Sequence, residues 1–198
     1  MQKLRTQILA HAASLPEGTP VSAKELLHLG SRAAIDQTLS RLVKRGHLLR
    51  AGRGLYVHPL ETRFGERPPS IETVVHAIGK SKGEIIASHG AAAANALGLT
   101  TQVPVRAIYL TSGPSRTVAL GAQSIELRHA PSWQLAMAGR PAGEAIRALA
   151  WLGKGSTRSA MQSLKKRLPP AALNEMVSAR ARLPTWLAEQ VSELVVHG

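Results

Sequence analysis

The most constraining feature of this chain lies between Ser31 and Val57, where an apolar stripe at helical spacing runs straight into a glycine-rich basic hairpin. Ile35, Leu39 and Leu42 fall at i, i+4 and i+7, so one face of a helix buries all three. The opposite face, at about 100° per residue, carries Ala33, Gln37, Ser40, Arg41 and Lys44. Ser31 stands where an N-cap hydroxyl is needed, and Gly46 stands where a helix stops. Leu48-Leu49-Arg50, Ala51-Gly52-Arg53-Gly54 and Leu55-Tyr56-Val57 then read as strand, turn and strand.

The residues before this stretch predict a shorter helix. Ser22 followed by Glu25 has the spacing of a capping box, and Gly30 ends the segment. Residues 2–15 predict another helix, with Leu4, Ile8, Ala12 and Leu15 on one side and Pro16-Glu17-Gly18 beyond its end. Short capped helix, tight turn, basic helix and arginine-tipped hairpin, in that order, resemble a winged helix-turn-helix over residues 1–58. In such a fold Gln37, Ser40 and Arg41 would approach base edges in a major groove. Arg32, Lys44, Arg45, Arg50 and Arg53 would hold phosphates, with an arginine of the wing able to enter the minor groove.

Charge agrees with a polyanionic partner. The chain has 25 Lys and Arg against 12 Asp and Glu, a formal net charge of +13. Between Ser31 and Arg53 there are six basic residues and one acid, Asp36, so the excess is concentrated on the stretch that reads as a DNA-binding unit. Hydrophobic residues make up 44% of the 198 but aromatics only 3%, so any core must be built from Ala, Leu, Val and Ile. The absence of cysteine excludes disulfides, zinc–thiolate sites and thiol nucleophiles, and fits a reducing cytoplasm. The start lacks the apolar core of a signal peptide, and the longest apolar run, Ile85 to Leu99, holds His89 and Asn95 and is too short to span a bilayer.

Residues 59–69 are polar and end in Pro68-Pro69, which predicts a linker. Residues 70–198 then read as an α+β domain. Ser70 precedes a helical stripe of Ile71, Val74, Val75 and Ile78. A short strand follows at Glu84–Ser88, and an alanine-rich helix from His89 to Leu97. Val105–Thr111 is a strand, and Ser115–Leu120 with Gln123–His129 flank Gly121-Ala122 as a hairpin. With one helix among these strands, a small mixed or antiparallel sheet fits better than a doubly wound one. From Trp133 onward the pattern is helical, over 143–152, 156–168, 170–182 and 184–196, with Pro169-Pro170 and Pro184 as helix starters. Nine Lys or Arg against two acids occur between Arg140 and Arg182, a second basic face best read by itself as solvated.

No active site assembles from the sequence. The eight histidines include no pair three or four residues apart, so no helical metal pair exists. Acids are too sparse for a two-metal nuclease cluster. Gly153-Lys154-Gly155-Ser156 lacks the upstream glycine of a phosphate loop and follows a helix, and Ser163-Leu-Lys-Lys166 is a pattern met on many solvated helices. His89 is the best lone candidate, and a helix-capping role outweighs a catalytic one because no partner acid is visible. No catalytic residue, metal or cofactor is expected.

Arg41-Leu-Val-Lys-Arg-Gly-His-Leu-Leu-Arg-Ala-Gly-Arg-Gly-Leu-Tyr-Val resembles the recognition helix and wing of AbiEi-type antitoxins of type IV toxin–antitoxin systems. Ile85–Leu99, with Ser88, Ala92 and Gly98-Leu99, resembles that family's strand-to-helix segment, and Pro104–Thr111 with the hairpin after Arg116 continues the likeness over most of residues 1–130. The resemblance implies a cytoplasmic autorepressor and antitoxin for phage defence. Its N-terminal domain would bind inverted repeats at its own promoter, as a monomer or weak dimer with cooperative binding. Its C-terminal domain would counteract a nucleotidyltransferase-like toxin. It implies no membrane partner and no catalysis. Two other readings remain open: a stand-alone winged-helix regulator, and a basic protein-interaction module without antitoxin activity.

Overall fold

The fold was derived from a computed structural model, which describes residues 2–63 and 65–196, with side chains described as far as residue 193. The protein is a mixed α+β chain with small antiparallel sheets. It divides into two compact units, residues 1–84 with 116–126, and residues 85–115 with 127–198.

The first unit opens with α1 (Gln2–Ser14), which buries Ile8 and Ala12 and half-buries Leu4, with Leu15 half-buried just past its end, the stripe expected from its spacing. After Pro16 the chain enters β1 (Val21–Ser22). The helix expected between Ser22 and Gly30 is absent. Residues 23–26 are turn, and only Leu27–Leu29 wind into a single 3₁₀ turn. The Ser22 hydroxyl, expected to cap backbone N–H groups, instead donates to the Glu25 carboxylate at 2.7 Å, and this pair therefore nucleates no α-helix.

The next helix forms as the sequence predicts. In α2 (Arg32–Lys44) the Ser31 hydroxyl accepts the Ala34 N–H, and Ile35, Leu39 and Leu42 are buried. Past Arg45, Gly46 takes the left-handed conformation (φ 78°) and the His47 N–H returns to the Leu42 carbonyl at 3.0 Å, closing the helix end. The hairpin follows as β2 (Leu49–Gly52) and β3 (Leu55–Val57), turning at Arg53-Gly54 with Gly54 at φ 71°. Arg50 faces Tyr56 and Gly52 faces Leu55, so Ala51 is an extra, bulged residue, and its side chain is buried. β1 pairs antiparallel with the other edge of β3, giving the order β1-β3-β2. Ile8, Ala12, Val21, Leu26, Ile35, Leu39, Leu42, Leu48 and Tyr56 form one core under this sheet.

The segment 59–69, expected as a linker, holds a small hairpin of β4 (Leu60–Thr62) and β5 (Gly65–Arg67), tied by the Thr62 hydroxyl donating to the Gly65 carbonyl at 2.7 Å. In α3 (Ile71–Lys82), capped by Ser70, the stripe Ile71, Val74, Val75 and Ile78 is buried. This helix belongs to the first unit, whereas the sequence placed residue 70 at the start of the second. The reason lies in the packing: a β-carbon on Gly18 would sit 2.9 Å from the Thr73 side chain, so the loop before β1 lies directly on α3. A later hairpin also contributes, with β8 (Arg116–Leu120) and the first part of β9 (Gln123–His129). Val118 and Leu120 are buried on β8, Ile125 on β9, and β2 lies against β8.

The second unit holds β6 (Ile86–Ser88), antiparallel to β7 (Ala107–Thr111), with the end of β9 beside β7. Between β6 and β7 comes α4 (Gly90–Ala96). A short turn of helix, α5 (Ser132–Leu135), leads to α6 (Pro141–Leu152), α7 (Lys154–Arg167), α8 (Pro170–Ala179) and α9 (Thr185–Val196). The helical tail is thus present where its stripes predicted. Ile146, Leu149, Leu164, Met176, Leu187 and Val191 are fully or almost fully buried together, an aliphatic core as the composition demands. No helix among the described residues is long and apolar enough to cross a membrane.

Candidate nucleic-acid interface

Burying one stripe of α2 leaves its other face to solvent. Ala33, Gln37, Ser40, Arg41 and Lys44 are all exposed, as are Arg32, Arg45, Arg50 and Arg53. These residues do not form one cluster. Arg32 stands at the start of α2 and its Nε donates to Asp36 Oδ2 at 2.8 Å, an exposed i,i+4 pair worth only a few tenths of a kcal/mol (about 0.3–0.5). Lys44 and Arg45 stand at the other end, about 18 Å away at helical rise. Arg50 and Arg53 are on the hairpin, where Arg50 Nε donates to the Gly52 carbonyl at 3.3 Å and so lies back along its own turn.

Arg41 and Arg45 meet a residue the sequence reading left out. They line a pocket of about 240 Å³ between α1 and α2, together with Gln2, Arg5, Thr38 and Leu42. Arg5 Nη2 lies 3.1 Å from His47 Nε2. Arg5 also lines a wider cavity of about 520 Å³, with His47, His58, Glu61 and Glu66. The available signal for Arg5 was its position next to Leu4, at the edge of the buried stripe of α1. The contact itself spans 42 positions and could not be read from spacing.

The histidine singled out from the sequence has a structural role. His89 Nδ1 accepts the Ala91 N–H at 3.2 Å, capping α4. Beside it the second unit holds a polar network that sequence reasoning missed. The Ser88 hydroxyl donates to one oxygen of Glu144, and the other oxygen accepts from Arg147 Nη2 at 2.7 Å. Arg147 is wholly buried, its Nη1 donates to the Gln134 carbonyl at 3.1 Å, and its Nε has no partner among the described residues. Among the described residues no group of three or more His, Asp or Glu is placed to hold a metal ion.

A family model described as a family of unknown function, DUF6088, matches residues 7–169. No curated protein and no solved structure matches the chain.

Proposed function

The chain belongs to the DUF6088 family of unknown function, and we propose that it is a sequence-specific DNA-binding autorepressor and the antitoxin of a type IV toxin–antitoxin system. In this reading residues 1–58 are a winged helix whose first helix-turn-helix element has shrunk to turns and a 3₁₀ turn. The exposed basic face of α2, followed at once by an arginine-bearing hairpin, carries the DNA-binding part. Gln37, Ser40 and Arg41 would approach base edges, and Arg32, Lys44, Arg45, Arg50 and Arg53 the phosphates. One such unit covers a half-site, so inverted repeats upstream of its own gene are the expected operator, bound by two chains. The antitoxin part, directed at a nucleotidyltransferase-like toxin, rests on the resemblance of residues 41–57, 85–99 and 104–111 to AbiEi-type antitoxins. The role needs no cofactor, metal or catalytic residue and belongs in the cytoplasm, beside the DNA.

The test is a gel shift with DNA from just upstream of the gene against scrambled DNA, over a salt series. Preference for the upstream DNA that persists near 150 mM salt is the expected result. Equal, strongly salt-sensitive binding to both would reduce the contact to net charge and end the repressor reading. Rescue of cells expressing a nucleotidyltransferase-like toxin, if one is encoded beside this gene, tests the antitoxin half.

A second reading, a basic protein-interaction module, is favoured by one observation. Val103 and Val105 are 75% and 100% exposed, in a loop that Asn95 Nδ2 pins through the Gln102 carbonyl at 3.1 Å. Copurification of one protein with no DNA retained would favour it.

A further inference from the structure

We propose that the pocket between α1 and α2 binds a phosphate group, held by Arg5, Arg41 and Arg45, and that Arg41 serves there as a phosphate ligand instead of a base reader. The DNA half of this proposal rests on the function proposed above; the pocket itself does not.

Composition of the lining is the first reason. Three guanidinium groups border about 240 Å³, and among the described residues no carboxylate does. Clustered like charges repel one another, and an anion between them removes that cost. Guanidinium forks also match phosphate oxygens in geometry, which a lysine cluster would not.

The state of Arg5 is the second reason. It is half-buried on α1, and its Nη2 lies 3.1 Å from His47 Nε2, a contact that fixes where the guanidinium stands. Glu61, Glu66 and His58 line the wider cavity that Arg5 also borders. The remaining walls are inert. Thr38 donates its hydroxyl to the Ala34 carbonyl at 2.7 Å, so it offers no hydrogen to a ligand, and Leu42 is buried. Gln2, exposed at the rim, adds an amide donor.

Arg41 therefore shares its surroundings with two other cations. A base-reading arginine places both of its donors on one guanine edge. Arg41 instead lines a pocket with Arg45, one turn further along α2, and with Arg5 from another helix. Two sources offer the same chemistry: the phosphodiester backbone of DNA, and a free phosphate group on a small molecule.

The experiment uses the full chain and two arms. In the first, wild type, Arg5→Gln, Arg45→Gln and the control Lys165→Gln are titrated with inorganic phosphate against chloride at equal ionic strength. Arginine Nε–H resonances report binding and the melting temperature checks folding. Wild type and the Lys165 control should saturate, and the two pocket variants should bind at least tenfold more weakly. Unchanged phosphate binding in both folded pocket variants overturns the site. In the second arm, the salt dependence of binding to specific and scrambled DNA is measured. Loss of Arg5 should flatten the slope of log K against log salt by about 0.9 per lost contact, alike for both DNAs. If phosphate binding falls but the DNA curves superimpose, the site stands and takes a free phosphate group. A wild type that binds no DNA sinks the proposed function while the first arm still decides the pocket. If Arg41→Gln relaxes preference at a single base pair and leaves scrambled DNA unaffected, Arg41 reads a base and its reassignment fails.

Discussion

Glu144 is the residue on which most of the buried polar structure of the second unit depends. It links Ser88 on β6 to Arg147, whose side chain has no exposure. Removing the carboxylate leaves a buried guanidinium facing only the Gln134 carbonyl, and a lone buried charge is expensive. Glu144→Ala should therefore destabilise the protein by about 3 kcal/mol, at the lower end for a broken buried pair because Glu144 is 29% exposed. Glu144→Gln keeps acceptor and shape and should cost about half as much. Urea midpoints at constant slope measure both, and a Glu144→Ala midpoint equal to wild type would remove the network from the stability account. Two helical glycines should respond with opposite signs. A β-carbon on Gly90 would lie 2.4 Å from the Arg147 carbonyl oxygen and 2.5 Å from Trp151 Cβ, whereas one on Gly155 meets nothing within 4 Å. Gly90→Ala should cost about 1–3 kcal/mol by overpacking, and Gly155→Ala should gain about 0.5–1 kcal/mol of helix propensity. Melting temperatures moving the same way would contradict this packing of α4 on α6. None of these roles was legible in the sequence. Ser88 and Glu144 are 56 positions apart, and a helical arginine looks the same on paper whether it faces water or a core.

Elements were legible where their signal is local and repeated. The stripes of α1, α2 and α3, the caps Ser31 and Ser70, and the hairpins at Arg53-Gly54 and Gly121-Ala122 all follow from spacing and turn chemistry. Two elements were misread for the same reason. At Ser22–Glu25 and at 59–69 the side chains satisfy one another or a neighbouring strand, as Ser22 does with Glu25 and Thr62 with Gly65, and residue type cannot show which partner is chosen. The helix expected at 22–30 became turns, and the expected linker became β4 and β5. For α2 the local signal carries a testable cost. Ser31 supplies a hydroxyl to the Ala34 N–H at 3.3 Å, so Ser31→Ala should lower stability by about 1 kcal/mol and Ser31→Asp should restore it. Denaturant midpoints measure the loss. If the repressor reading holds, affinity for upstream DNA should change little under native conditions, because the first turn of α2 lies far from Gln37 and Ser40 in register. A loss above tenfold with the fold intact would place Ser31 on the DNA.

If the repressor reading holds, the question at the scale of the molecule is which part of the +13 charge meets DNA. Two basic regions compete. One is the α1–α2–hairpin face, where Arg5, Lys44, Arg45, Arg50 and Arg53, with Arg41, can meet phosphates and Arg32 is already engaged by Asp36. The other holds nine Lys and Arg between Arg140 and Arg182. Not all nine are available: Arg147 is buried, Arg140 pairs with Glu175 at 3.2 Å, and Arg167 Nη1 donates to the Leu97 carbonyl at 2.7 Å. Counterion release separates the two regions, since each neutralised phosphate contributes about 0.9 to the slope of log K against log salt. A single chain held by its first face alone should show a slope of roughly −5, and engagement of the second face as well should steepen it to about −10. The discriminating variant is Lys165→Gln with Lys166→Gln, two exposed residues at the end of α7 in the second unit. On the first-face model it leaves the slope and the preference for upstream DNA unchanged. A slope that falls by two contacts for scrambled and upstream DNA alike would show the helical tail holding nucleic acid. Specificity would then arise from the first face against a larger uniform background, because phosphate contacts add affinity to every sequence equally.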